Sequence, residues 1–169
     1  MNIFNKNKHF NSLILDFFDS ATDDVKTIHH TIHCQGALPL GGKTVDRFLM
    51  VTFMYLLFMW ECALQKQYFP KYVNEVCTTI QSTVHEIARR TNYPISKAEE
   101  AYLWIRKRLN DIAEDARKTN LDSDFLYQTI AVHYVSVAVP KDFNPVSTEV
   151  YNFIGNIFYK AMNYYNVET

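Results

Sequence analysis

The sequence predicts an all-α fold: one domain over residues 1–169, built as a bundle of about six to seven helices around a buried central helix at about residues 44–69. Three observations predict it. Apolar residues recur at spacings of three and four along almost the whole chain, the period of a helix with one face on a core. The chain holds only 4 Gly and 5 Pro, too few turn residues for a many-stranded sandwich or barrel. The run Phe48–Trp60 is thirteen residues without a charge, fenced by Asp46-Arg47 before it and Glu61 after it. A helix that apolar has to be enclosed on every side.

The elements follow in order. Phe10, Leu13, Ile14 and Phe17 mark a first helix over about Lys8–Phe18. Ser20-Ala-Thr-Asp23 reads as a capping box with Asp in place of Glu, opening a second helix to about Cys34 with Val25, Ile28 and Ile32 inward. Gln35–Gly42 reads as a loop. Thr44 is the expected N-cap of the third helix, which runs to about Phe69, where Pro70 stops it. Val73, Val76, Ile80, Val84 and Ile87 predict a fourth helix over about Lys71–Thr91. After the break at Asn92-Tyr-Pro94, Ser96-Lys-Ala-Glu99 is a full capping box for a fifth helix, whose inward stripe is Tyr102, Ile105, Leu109, Ile112 and Ala116. Ser123–Val139 ends in a β-branched run that suits a strand; with no second strand-like run to pair with, helix is expected. Pro140 and Pro145 bracket a loop, and a last helix covers about Ser147–Tyr165.

Composition narrows the function classes. Hydrophobic residues make up 48% and charged residues 21%, which places the chain among folding sequences. A net charge of −1 supplies none of the basic excess that displaces counterions from nucleic-acid phosphates. The three cysteines are odd in number and widely spaced, so no disulfide framework is expected and a reducing, cytoplasmic location is. The first residues lack the apolar core of a secretory signal. Thirteen uncharged residues fall short of the ~20 that a membrane span needs, so no membrane role is expected.

The expected function is non-enzymatic protein binding, of the kind carried out by inhibitors, immunity or antitoxin-like proteins and adaptors. The partner would be another protein or a second copy of this chain. Tyr and Trp combine an apolar body with a polar tip, and 15% of the chain is aromatic. At about 100° per residue the third helix would turn Arg47, Met54, Phe58, Glu61 and Gln65 outward, with apolar residues in the middle of that stripe. The last helix carries Phe153, Ile157 and Tyr164 beside its main stripe of Tyr151, Ile154, Phe158, Met162 and Tyr165. The candidate partner-binding residues are therefore Met54, Phe58, Tyr151, Phe153, Ile157 and Tyr164.

Other chemistries have weaker signals. His29 and His33 lie four apart on one helical face, a spacing that clamps zinc, with Glu61, His85, Glu86 or His133 as further ligands from other helices. This is the alternative reading, a metal-dependent helical enzyme. The frame resembles the HExxH motif of zinc proteases, but His30 stands where the general-base Glu belongs. Cys34 near His30 makes a weak dyad without an oxyanion hole. Arg89, Arg90, Arg106, Lys107 and Arg108, with Tyr102 and Trp104, form the basis of a second alternative, nucleic-acid binding. Acidic Asp111, Glu114 and Asp115 on the same helix argue against it. Gly41-Gly-Lys-Thr44 resembles the end of a phosphate-binding loop, but Ala37 occupies the place of its first Gly and no strand precedes it; an anion on the helix N-terminus is the part of that chemistry left open. Asn120–Asp124 fails as a calcium loop because Phe125 replaces the required Gly. No cofactor is expected.

Overall fold

The structure is a computed structural model that describes residues 3–35, 42–141 and 146–163, with side chains from residue 8 onward. Six helices make up the fold: α1 (Ile3–Cys34), α2 (Lys43–Tyr68), α3 (Val73–Arg90), α4 (Ile95–Lys118), α5 (Ser123–Ala138) and α6 (Thr148–Asn163). No strand occurs among the described residues, so the β-branched end of α5 is helical as expected.

The expected first and second helices are one. The apolar stripe Phe10, Leu13, Phe17, Ala21, Val25, Ile28 and Ile32 steps by three or four throughout, and every member is buried. Ala21 carries the stripe across Ser20–Asp23, so the capping box is overridden by the face that packs. The other two expected caps also shift. α2 begins one residue earlier than Thr44, behind Gly42 at a left-handed φ of 88° that glycine adopts without strain. α4 begins at Ile95 behind Pro94, which puts Ser96 inside its first turn and leaves Glu99 to pair with His85 instead. Asp122 does cap α5, its carboxylate accepting from the Asp124 amide at 2.7 Å.

α2 is the axis of the molecule. It touches all five other helices, and fifteen of its residues are buried, including every one from Met50 to Glu61. It is long and apolar enough to cross a membrane by length and composition, yet 83% of its most apolar stretch is buried inside the bundle. One apolar cluster takes residues from all six helices. The buried Thr52 inside it is paired: its Oγ1 bonds both the Phe48 carbonyl and the Tyr134 hydroxyl at 2.7 Å. α5 and α6 approach closely because Gly155 has no side chain. A Cβ there would stand 3.1 Å from the Tyr127 carbonyl oxygen.

Candidate functional site

The predicted binding residues do not form one surface. Met54 and Phe58 are 0% and 4% exposed, so they are core residues and drop out of any interface. The physical reason is enclosure: the stripe of α2 assigned to the outside is covered by neighbouring helices at its middle. On α6, Tyr151 and Ile157 are half-buried and Phe153 is exposed. Tyr151 and Phe153 point about 160° apart around the helix, to opposite flanks. Tyr164 lies outside the described residues.

The histidines are together, without a metal cage. The rings of His29 and His33 stack at 6.1 Å with 5° between their planes. No group of three His, Cys, Asp or Glu residues able to hold a metal occurs among the described residues. Each expected further ligand is engaged elsewhere. His133 Nδ1 meets the Tyr55 hydroxyl at 2.6 Å, His85 pairs with Glu99 at 2.6 Å, Glu86 binds Arg89 and Arg90, and Glu61 binds Arg106. His29 leans on Phe48 at 5.5 Å, and its Nε2 is buried with no hydrogen-bond partner. Burial first, then the neighbouring His33 and His30, lowers its pKa and so disfavours the protonated ring. His30 Nε2 lies 3.6 Å from the exposed Cys34 Sγ, a contact on the solvent side of α1.

Four of the five basic residues are engaged within the fold, and Lys107 is exposed. Arg89 and Arg90 both reach Glu86, at 2.5 and 2.8 Å, and their hydrogen bonds hold its carboxyl down at about 2. The Arg90 guanidinium also lies 4.0 Å over the Phe18 ring. Arg106 Nη2 pairs with Glu61 at 2.9 Å, and Arg108 lies 5.9 Å from the centre of Trp104. Cations divided in this way among carboxylates and rings do not track a phosphate backbone.

Two features were missed by the sequence reading. The first is a cleft of about 320 Å³ between α3 and α4, with Glu61 of α2 at its base and Ile80, Val84 and Leu103 on its walls. Glu61 is 5% exposed and fully engaged there: the Tyr102 hydroxyl and Arg106 donate to it, and Gln65 lies at 3.4 Å. Burial and the Glu61 charge push the Tyr102 phenol well above its ordinary pKa, so it remains a donor.

The second is the outer face of α4. Leu103 and Trp104 are adjacent, large and apolar, and they are 63% and 47% exposed. They lie on either side of exposed Lys107 around the helix. Trp104 is not loose: its ring stacks on His133 at 5.8 Å and 25°, and Arg108 lies beside it. His133 is in turn held by the buried Tyr55, and Val132 next to it on α5 is 45% exposed. The signal was present in the sequence. Leu103 and Trp104 fall outside the inward stripe of their own helix, on the face given to charges. No family model, no characterised protein and no solved structure matches this chain.

Proposed function

We propose that this chain is a non-enzymatic protein-binding domain that docks its partner on the outer face of α4, around Trp104 and Leu103. The observation that carries this is the pair itself: two neighbouring large apolar side chains standing in solvent on an otherwise charged helix face. Trp and Arg dominate the energetics of protein interfaces. Trp104 is already oriented by His133 and Arg108, so less side-chain freedom is lost on docking. The partner chemistry that fits is an apolar pocket for the indole with a carboxylate opposite Lys107. An inhibitor or adaptor role suits a small domain with such a face. Cys34, Cys62 and Cys77 are free thiols, which fits the reducing cytoplasm.

Site-specific photocrosslinking tests the reading. A crosslinker placed at Leu103 is expected to capture one protein in the native host, and Trp104→Ala is expected to abolish the adduct while leaving the melting temperature within a few degrees. A crosslinker at exposed Phe153 serves as the control. Capture from Phe153 and not from Leu103 would move the interface to α6. Capture of the chain by itself would make the face a homodimer contact.

A further inference from the structure

We infer that the cleft where the start of α2 meets the end of α5 is a binding site for a small phosphate monoester. The cleft is open to solvent and has a volume of about 500 Å³. Three cations line it, Lys43 and Arg47 from α2 and Lys141 from the segment after α5, together with the hydroxyl residues Thr44 and Ser136 and the aromatic Tyr93. Among the described residues no carboxylate lines it; Asp46, the acid in the first turn of α2, is not one of the lining residues. This is a different place from the α4 face, and the inference does not depend on that face binding a protein.

The convergence of the three cations carries the site. They come from two parts of the chain almost a hundred residues apart, and like charges gathered in one cleft repel unless an anion joins them. Elsewhere in the fold Arg89, Arg90 and Arg106 each lie against a carboxylate. Arg47 instead donates Nη1 to the Val137 carbonyl at 2.7 Å. That carbonyl belongs to the last turn of α5, where no later helical amide reaches it. The bond fixes the guanidinium across the α2–α5 seam and leaves other N–H groups of its fork for a ligand. Thr44 adds a hydroxyl donor of the kind that binds phosphate oxygens, whereas Ser136 Oγ donates its proton to the His133 carbonyl at 2.6 Å. The N-terminus of α2 opens into the same region without a side-chain cap, and its positive end reinforces the cations. The half-buried Tyr93 and the apolar lining from the end of α5 give an organic body a surface to rest on. A phosphate dianion suits three cations better than a monocarboxylate, and the roomy partly apolar cleft suits an ester better than the free ion.

Isothermal titration and amide chemical-shift mapping test this on the full chain. The probes are inorganic phosphate, phenyl phosphate and, as the uncharged analogue, phenol, all at matched ionic strength. Phenyl phosphate is expected to bind saturably, with shifts centred on Lys43–Arg47 and Ser136–Lys141. Both lysines are exposed, so Lys43→Gln with Lys141→Gln is expected to preserve the melting temperature and to weaken phenyl phosphate by about a hundredfold, roughly tenfold for each charge-assisted contact. Phosphate binding as tightly as phenyl phosphate would keep the anion site and overturn the ester. Shifts spread over lysines throughout the molecule, equal shifts with phenol, or binding unchanged in the double variant would each overturn the site itself.

Discussion

At the residue scale, Glu61 shows how a carboxylate survives in the middle of an apolar helix. Taking a charge out of water costs several kcal/mol unless its oxygens are bonded. Here Tyr102 supplies a hydroxyl and Arg106 a guanidinium that is 41% exposed and still reaches water. Removing one member of such a set differs from replacing it. Glu61→Ala leaves the Tyr102 hydroxyl and the guanidinium without their acceptor and opens a cavity beside Ile80, so a loss of about 3 kcal/mol in urea unfolding is expected. Glu61→Met fills the space but strands the buried Tyr102 hydroxyl, and a loss of about 1–2 kcal/mol follows. Adding Tyr102→Phe to Glu61→Met removes the stranded group and is expected to recover most of that loss. A double variant weaker than Glu61→Met alone would mean that the network is not what holds α2 to α4. The sequence marks Glu61 only as the end of an uncharged run. Its partners lie 41 and 45 residues further on, and no local pattern joins them.

At the element scale, helical periodicity was the most legible property of the chain, and element ends were the least. The stripes of α3, α4 and α6 are where their spacing puts them, because each helix presents one face to the core; the exception is Val73, which stands 39% exposed at the first residue of α3. Ends are decided by competition. At Ser20–Asp23 a local cap competed with a stripe continued by Ala21, and tertiary packing prevailed, since a cap contributes about 1 kcal/mol and the stripe buries a whole face. The same limit explains Met54 and Phe58. A helical wheel shows which side of α2 is polar at its ends, but not that neighbours surround its middle. Gly155 is a further element-scale feature that no stripe reveals. It lets α6 lie against the backbone of α5 at Tyr127. Ala is the better helix former by about 1 kcal/mol, which alone would make Gly155→Ala stabilising. The new methyl, however, meets a carbonyl held in a helix, not the movable tip of a side chain, so two packed helices must separate by a few tenths of an ångström. Gly155→Ala is expected to lose about 1 kcal/mol net and Gly155→Val about 3, read from denaturant midpoints. A higher midpoint for the alanine variant would show that the α5–α6 seam yields.

At the scale of the whole molecule, the fold class was readable because nearly every segment carried the same period, and the surface was not, because exposure is a property of the assembled bundle. Leu103 and Trp104 become informative only once six helices have taken their places and left these two outside. Charge behaves in the same way. Asp24 has no unusual sequence context, yet the assembled fold raises its pKa from 3.8 to about 6. Burial is the main cause, the adjacent Asp23 adds to it, and Lys160 of α6 opposes it across the α1–α6 contact. Asp24 also shares a small pocket with Asp16, Phe17 and Trp60, where water is scarce. The sign of the effect on stability follows from proton counting. Between pH 4 and pH 6 the folded protein keeps a proton on Asp24 that the unfolded chain has released, so folding weakens as the pH rises through that window. Glu86 acts oppositely. Its pKa is held at about 2, so its contribution is in place above its unfolded value of 4.5 and fades as the pH falls from there toward 2, touching only the lowest part of the Asp24 window. Asp24 is partly open to solvent, and screening reduces its contribution to the order of 1 kcal/mol. Asp24→Asn keeps the shape and removes the titration. The difference in unfolding free energy between wild type and this variant is therefore expected to move steadily against wild type from pH 4 to pH 6 and to stay level above pH 7. A level difference through the lower window would mean that Asp24 is hydrated in the native bundle, and that α1 and α6 do not close over it.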